Sequence, residues 1–259
     1  TWYDGQNGYG DHLKCYYSFI SLDKVNFVRG WRGIESTAAC TDLTIGSMSF
    51  SNFTRYPLYL VGVRLTATTL TAIACGDLIA MGNIANVDTI ICNSGAGFSV
   101  GQTSRVQTAT ANNNGSTGIT SSGWIGAATT NGNGNTGYAP VSLGYCNYLT
   151  SNNNVLGVSS NAQYDWVIGG GSTSGNTTGG VYGIYTQGIL RNFTINEATE
   201  VTIGLPNFGT RIYSENHDNT AGNTVVFMDA GQITLQAATV HGSAARAWKF
   251  DVTGTTRTI

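Results

Sequence analysis

The feature that most constrains this chain is a repeat of about twenty residues, in which a polar Asn/Gly-rich turn is followed by a short apolar or aromatic step. The clearest copies are Asn112-Asn113-Asn114-Gly115-Ser116-Thr117-Gly118-Ile119, Asn131-Gly132-Asn133-Gly134-Asn135-Thr136-Gly137-Tyr138 and Asn152-Asn153-Asn154-Val155-Leu156-Gly157-Val158. Their last residues are 19 and 20 apart, and a looser copy ends at Tyr182, 24 further on. Stepping backward by 21, 20 and 20 lands on Phe98, Leu78 and Leu58. Self-similarity at this period signals a solenoid, whose units bury their apolar faces only against neighbours. Helical-pair repeats are longer, and the residues here are wrong for them. Thr, Val, Ile and Tyr favour strands, while Asn and Gly tolerate the left-handed conformations of sharp turns.

Composition points the same way. The chain has 35 Gly and only 10% charged residues, yet is 41% hydrophobic. It can build a core but lacks the Glu, Lys, Ala and Leu stock of ordinary helices. The expected fold is all-β, a single-stranded parallel β-helix with coils of about 20 residues. Roughly nine coils fit between 34 and 212, giving a rod of order 40 Å at about 4.8 Å per step. Residues 1–33 read as an N-terminal cap with entry strands. Residues 213–259, with apolar runs such as Thr224–Met228 and Gln232–Gln236, read as a C-terminal β cap or subunit-joining segment. Asn112, Asn131 and Asn152 are expected to stack, with their amides hydrogen-bonded along the rod axis.

Charge and spacing exclude several functions. A net charge of −2, from 12 basic and 14 acidic residues, leaves no basic stripe for nucleic acid. No run of eighteen apolar residues is present for membrane insertion, and Thr1-Trp2-Tyr3-Asp4 has no signal-peptide character, so the chain reads as cut from a longer one. The cysteines Cys15, Cys40, Cys75, Cys92 and Cys146 form no C-x-x-C pair and are expected to be buried free thiols. His12, His217 and His241 are too scattered for a metal triad. Neither a metal nor another cofactor is expected.

The Asn-rich turn followed by Gly and an apolar step, at 112–119, 131–138 and 152–158, resembles the right-handed parallel β-helix of the pectin-lyase-like superfamily. Its uncharged Asn/Gly/Ser/Thr coils look most like those of bacteriophage tailspikes and tail fibres. The resemblance covers residues 34–212 as architecture. It implies a homotrimeric, extracellular receptor-binding protein of the virion tail, made in the bacterial cytoplasm, that works with other tail proteins and meets a host surface polysaccharide, which some members cleave. No catalytic residue carries over, because no diagnostic motif matches. Polysaccharide lyases of that superfamily use clustered Asp ligands and a basic residue, whereas residues 98–190 hold only two charged side chains, Arg105 and Asp165.

Two sets of residues are candidates for function. A glycosidase needs two carboxyl groups about 5 Å or about 6.5–9.5 Å apart, which on a stacked rod means acids one or two coils apart. Glu197 and Asp218 are 21 apart, Glu200 and Asp218 are 18 apart, and Asp23 and Asp42 are 19 apart. Glu197, Glu215 and Asp218 are therefore candidate catalytic acids of a depolymerase, or else solvated surface carboxylates. Tyr145 to Tyr164, Tyr148 to Trp166 and Trp166 to Tyr185 are 19, 18 and 19 apart, so Tyr145, Tyr148, Tyr164, Trp166 and Tyr185 are expected to stack along one outer wall. Flat rings suit the C–H faces of sugars; the alternative places them in the core or a trimer seam. The leading expectation is an attachment protein rather than an enzyme. The others are a glycoside hydrolase acting on capsule or O-antigen, and a structural spacer or bacterial surface adhesin.

Overall fold

The computed structural model describes residues 2–242 apart from short segments at 5–10, 16–18, 37–41, 61–62, 77–78, 81–83, 161–165, 184–187, 197–200, 206–209, 214–215, 220–223, 229–232 and 237–238. Every described element is a strand, and all pairing is parallel, as coils wound in one direction require. Two sheets run the length of the rod, one of 16 strands and one of 11. Inside 34–212 and its entry the smaller sheet holds Arg32–Ser36, Leu58–Tyr59, Ile79–Ala80, Phe98–Val100, Ile119–Ser121, Thr136–Pro140, Leu156–Ser160, Gly179–Gly183 and Val201–Leu205. The chain is a parallel β-solenoid.

The apolar step of the repeat is the inward position of that sheet. Phe98 pairs with Ile119, Ile119 with Tyr138, and Tyr138 with Val158, as the spacing predicts, and all four are fully buried. The register slips by one where coil length changes: Phe98 lies over Ile79 rather than Leu78, and Val158 under Val181 rather than Tyr182. Parallel pairing is not confined to 34–212. Trp2–Asp4 pairs with 26–28, and Asn216–Asn219 pairs with Thr239–Gly242. The same stack therefore runs through both regions read as caps. Residues 243–259 lie outside the described residues.

The larger sheet uses longer strands that bend. In Arg105–Asn112 and Tyr145–Asn152 two successive residues, Gln107-Thr108 and Asn147-Tyr148, are exposed where strict alternation would bury one. That is a corner, and beyond it the same face continues inward through Ala109, Ala128 and Leu149. Each coil thus has three walls around a narrow interior.

Two residues past this sheet's last inward column, the chain turns through the left-handed region on coil after coil: Arg29, Asn52, Ala74, Ser94, Asn113, Gly132, Asn153 and Gly175 have φ between 52° and 65°. Asn and Gly adopt this conformation at low cost, which explains their recurrence here.

The next residue on each coil points inward, and there the interior changes chemistry. In the first coils the core is aromatic: Phe27 stacks on Phe50 at 5.4 Å, Phe53 meets Phe50 edge-on at 5.8 Å, and Cys75 follows in the same column. From Asn114 onward that column is Asn114, Asn133, Asn154 and Asn176, each almost fully buried. Asn114 Nδ2 donates to Asn133 Oδ1 at 2.9 Å, Asn133 Nδ2 to Asn154 Oδ1 at 2.8 Å, and Asn154 Nδ2 to Asn176 Oδ1 at 3.3 Å. The backbone N–H groups of Asn114, Asn133 and Asn154 donate to the same oxygens at 3.1, 2.9 and 2.9 Å. Asn133 Nδ2 also reaches the carbonyl of Ala111 at 3.0 Å. Each interior carboxamide is thereby satisfied, which a buried polar group requires. This corrects the expected ladder: Asn112, Asn131 and Asn152 do lie in register, but half-buried, and the axial amide bonds are made two residues later.

The glycine before each apolar step answers the ladder from across the coil. A Cβ at Gly118 would sit 2.7 Å from Asn133 Nδ2, and one at Gly157 2.8 Å from Asn176 Nδ2. At Gly137 it would meet Ser151 Oγ at 2.3 Å, Thr130 Oγ1 at 2.4 Å and Asn154 Nδ2 at 2.6 Å.

Replacing Asn133 by Ala strands the Asn114 backbone N–H and takes one bond each from Asn114 Nδ2, the Ala111 carbonyl and Asn154 Oδ1; the expected loss is about 2–4 kcal/mol in urea unfolding. Asn131→Ala, which removes only the exposed bond from Asn153 at 2.9 Å, should cost less than about 1 kcal/mol. Gly137→Ala should cost roughly 1–3 kcal/mol through overpacking alone.

Candidate functional site

The outer face of the larger sheet, before its corner, carries one column unlike the rest. Asn86, Arg105, Trp124, Tyr145, Val167 and Ile189 pair in succession, one per coil. Their strand neighbours Val87, Val106, Ile125, Cys146, Ile168 and Leu190 are buried, so alternation turns this column outward. The Arg105 guanidinium lies 4.2 Å over the Trp124 ring, within cation–π range. Leu143, 57% exposed, sits in the turn just before Tyr145.

Glycines shape the rings' surroundings. A Cβ at Gly126 would fall 3.0 Å from Trp124 Cη2, so the indole folds along its strand over a residue with no side chain. Tyr148, 54% exposed at the corner, lies against Gly170 on the next coil, where a Cβ would be 3.5 Å from its Cδ2. Trp124, Tyr145 and Tyr148 thus form a ring-bearing strip laid on the wall, beside the exposed polar side chains of Gln107 and Asn147.

Tyr145 and Tyr148 stand on this wall, but they do not stack on the partners that the spacing suggested. Tyr145 pairs with Val167, because the coil here is 22 residues long instead of 19. Trp166 is a correction: it is 1% exposed and packed inside the rod. It pairs with Gly188, and Gly144 lies on the coil below; neither contributes a side chain, leaving the volume the indole fills. Tyr164 and Tyr185 lie outside the described residues. Sequence reasoning missed Trp124 and Arg105, although the 19-residue steps from 86 to 105 to 124 were there to find.

The candidate acids are not assembled into a described site. Glu197 and Glu215 lie outside the described residues. Asp218 falls on strand Asn216–Asn219, where its backbone pairs with Asn196, one position from Glu197, and with His241. Asp23 and Asp42 do not stack, because the local coil has 23 residues: Asp42 lies over Phe19, and Asp23 faces Gly46. Asp42 pairs instead with Arg64 at 3.4 Å, and Glu35 with Arg32. Among the described side chains no two carboxylates stand above one another in register, and no three His, Cys, Asp or Glu side chains cluster to hold a metal ion.

Cys75, Cys92 and Cys146 are free and buried, as expected of small apolar fillers. Burial pushes the thiols of Cys92 and Cys146 up to about 12, against weaker opposing backbone hydrogen bonds, and raises Cys75 as well. Burial also lifts the Tyr138 phenol well above its ordinary range, and Cys146 adds to this. None of these three thiols is therefore a nucleophilic thiolate near neutral pH.

No family model matches the chain, and no curated protein or solved structure matches it either.

The raised thiols fix a pH dependence. Unfolded thiols ionise near pH 9.0 while the folded ones stay protonated to about 12, so their contribution is intact below pH 9.0 and is lost as pH rises through that window. Each should lower stability by about 1.4 kcal/mol per pH unit there. Urea titrations from pH 8 upward should show this fall, with a shallower slope in Cys92→Ala and Cys146→Ala. The three thiols should react with a thiol reagent only after unfolding.

Proposed function

We propose that this rod is a receptor-binding protein of the tailspike or tail-fibre kind, which attaches to a bacterial surface polysaccharide. In this reading it acts as an extracellular homotrimer of the virion tail beside other phage tail proteins, and is made in the bacterial cytoplasm. The observation that carries the reading is the strip of outward rings at Trp124, Tyr145 and Tyr148, held in register by a rigid core.

A flat ring covers the apolar face of a pyranose, while a phenol or indole N–H and the neighbouring Gln107 and Asn147 supply hydrogen bonds to hydroxyls. Each such bond contributes about 0.5–1.5 kcal/mol, so a single strip binds weakly and three copies on one assembly supply avidity. Coils one strand spacing apart present successive contacts along a line, which suits an extended chain better than a small molecule.

The test is a panel of capsular and O-antigen polysaccharides, scored for retention and for new reducing or unsaturated ends. Retention without new ends is expected. Trp124→Ala and Tyr145→Ala should each weaken retention about tenfold with an unchanged melting temperature. Retention unmoved by both variants would remove the wall from the reading, and new chain ends would make the protein a depolymerase.

A further inference from the structure

Arg105 stands nearly alone as a charge in the middle of the rod. Between 98 and 190 the chain carries only Arg105 and Asp165 as charged side chains. The surface around Arg105 is otherwise built from Ser, Thr, Asn, Gln and aromatic residues, with the exposed Asp88 on the coil below. Arg64 pairs with Asp42 and Arg32 with Glu35, but among the described residues no carboxylate comes within ion-pair distance of Arg105. Asp88, on the coil below and two positions along from the partner residue Asn86, forms no ion pair with it. The exposed guanidinium lies over Trp124, with Tyr145 next in the column.

We propose, building on the attachment reading above, that the Arg105–Trp124–Tyr145 column selects acidic saccharides, with the carboxylate of a uronic-acid-type sugar held by Arg105 while the same or the next sugar lies on the rings. Stacking on the indole fixes the guanidinium plane and leaves its N–H edge free, and a planar fork matches a carboxylate bidentately. The ring faces supply the apolar contact that simple charge attraction lacks. Arg105 is the one cation between 98 and 190, and its attraction for a carboxylate is screened by added salt. Stacking on an indole is not sufficient on its own. Arg55 also lies 4.6 Å over Trp31, in the turn that leaves strand Asp42–Phe53, and Tyr56 and Tyr59 are close by, but there Glu35 stands in register with Tyr59 and its carboxylate, paired with Arg32, opposes an acidic sugar.

Arg55 supplies the control, because Arg55→Gln removes the same charge from the same molecule. The experiment is a bacterial polysaccharide array containing neutral polymers, uronate-bearing polymers and carboxyl-reduced forms of the latter, probed with the intact chain, Arg105→Gln, Arg105→Lys and Arg55→Gln. The proposal predicts that the bound polymers carry carboxylates and that carboxyl reduction or Arg105→Gln weakens binding at least about tenfold. Arg105→Lys should retain part of the affinity, Arg55→Gln should match the parent, and binding should fall with added salt. Selective binding of neutral polymers, or equal losses in Arg105→Gln and Arg55→Gln, would overturn acid selection and leave the attachment reading standing. Binding to no polymer on the array would overturn both.

Discussion

The buried amide ladder is the interaction on which the other features of this rod depend. A carboxamide in a dry interior is costly unless every donor and acceptor is used. Asn133 uses them all: its oxygen accepts two bonds from Asn114, and its nitrogen gives one to Asn154 and one to Ala111. The geometry works only if the asparagines stack one above another. A coil that slips by one residue would bury an unmatched amide, so the ladder penalises register errors that apolar contacts alone would tolerate. The glycine that faces each amide is the other half of the same constraint, since any side chain at Gly118, Gly137 or Gly157 would occupy the amide's space. The repeat seen in the sequence is the imprint of this pairing across the interior.

The outer wall follows from the register that the core imposes. Arg105, Trp124 and Tyr145 meet because Val106, Ile125 and Cys146 are stacked beneath them. Strand alternation leaves no freedom to choose which side chains face out. Coils of 19 and 21 residues bring those three into line, and a coil of 22 then places Val167 above Tyr145. Small differences in turn length thus decide which surface residues share a column. Glycines at 126 and 170 let the rings lie along the wall.

Much of the fold was legible in the sequence because the repeat reports a physical necessity. Phe98, Ile119, Tyr138 and Val158 were placed in register by spacing alone, and the all-β solenoid followed from residue types. The ladder was read two residues early, since Asn112, Asn113 and Asn114 are chemically alike and only the left-handed turn at Asn113 decides which of them enters the core. The site was less legible. Trp166 was expected outside because it is an aromatic residue at nearly the right spacing, yet glycines above and below it open room inside. Arg105 and Trp124 escaped notice because a constant period was sought among tyrosines and tryptophans, whereas the column includes Asn, Arg, Trp, Tyr, Val and Ile. Side-chain direction follows local coil length, which a mean period does not carry.

The most direct test of the ladder's role is residue-resolved hydrogen exchange in the native protein. The backbone amides of Asn114, Asn133 and Asn154 sit in turns, where amides ordinarily exchange fast, but here each donates to a side-chain oxygen of the next coil. If the ladder holds the coils in register, these amides should exchange as slowly as those of the strand residues Ala128 and Leu149, opening only with global unfolding. Exchange at the rate of an exposed turn amide such as that of Ser116 would show that the amide column does not hold the fold.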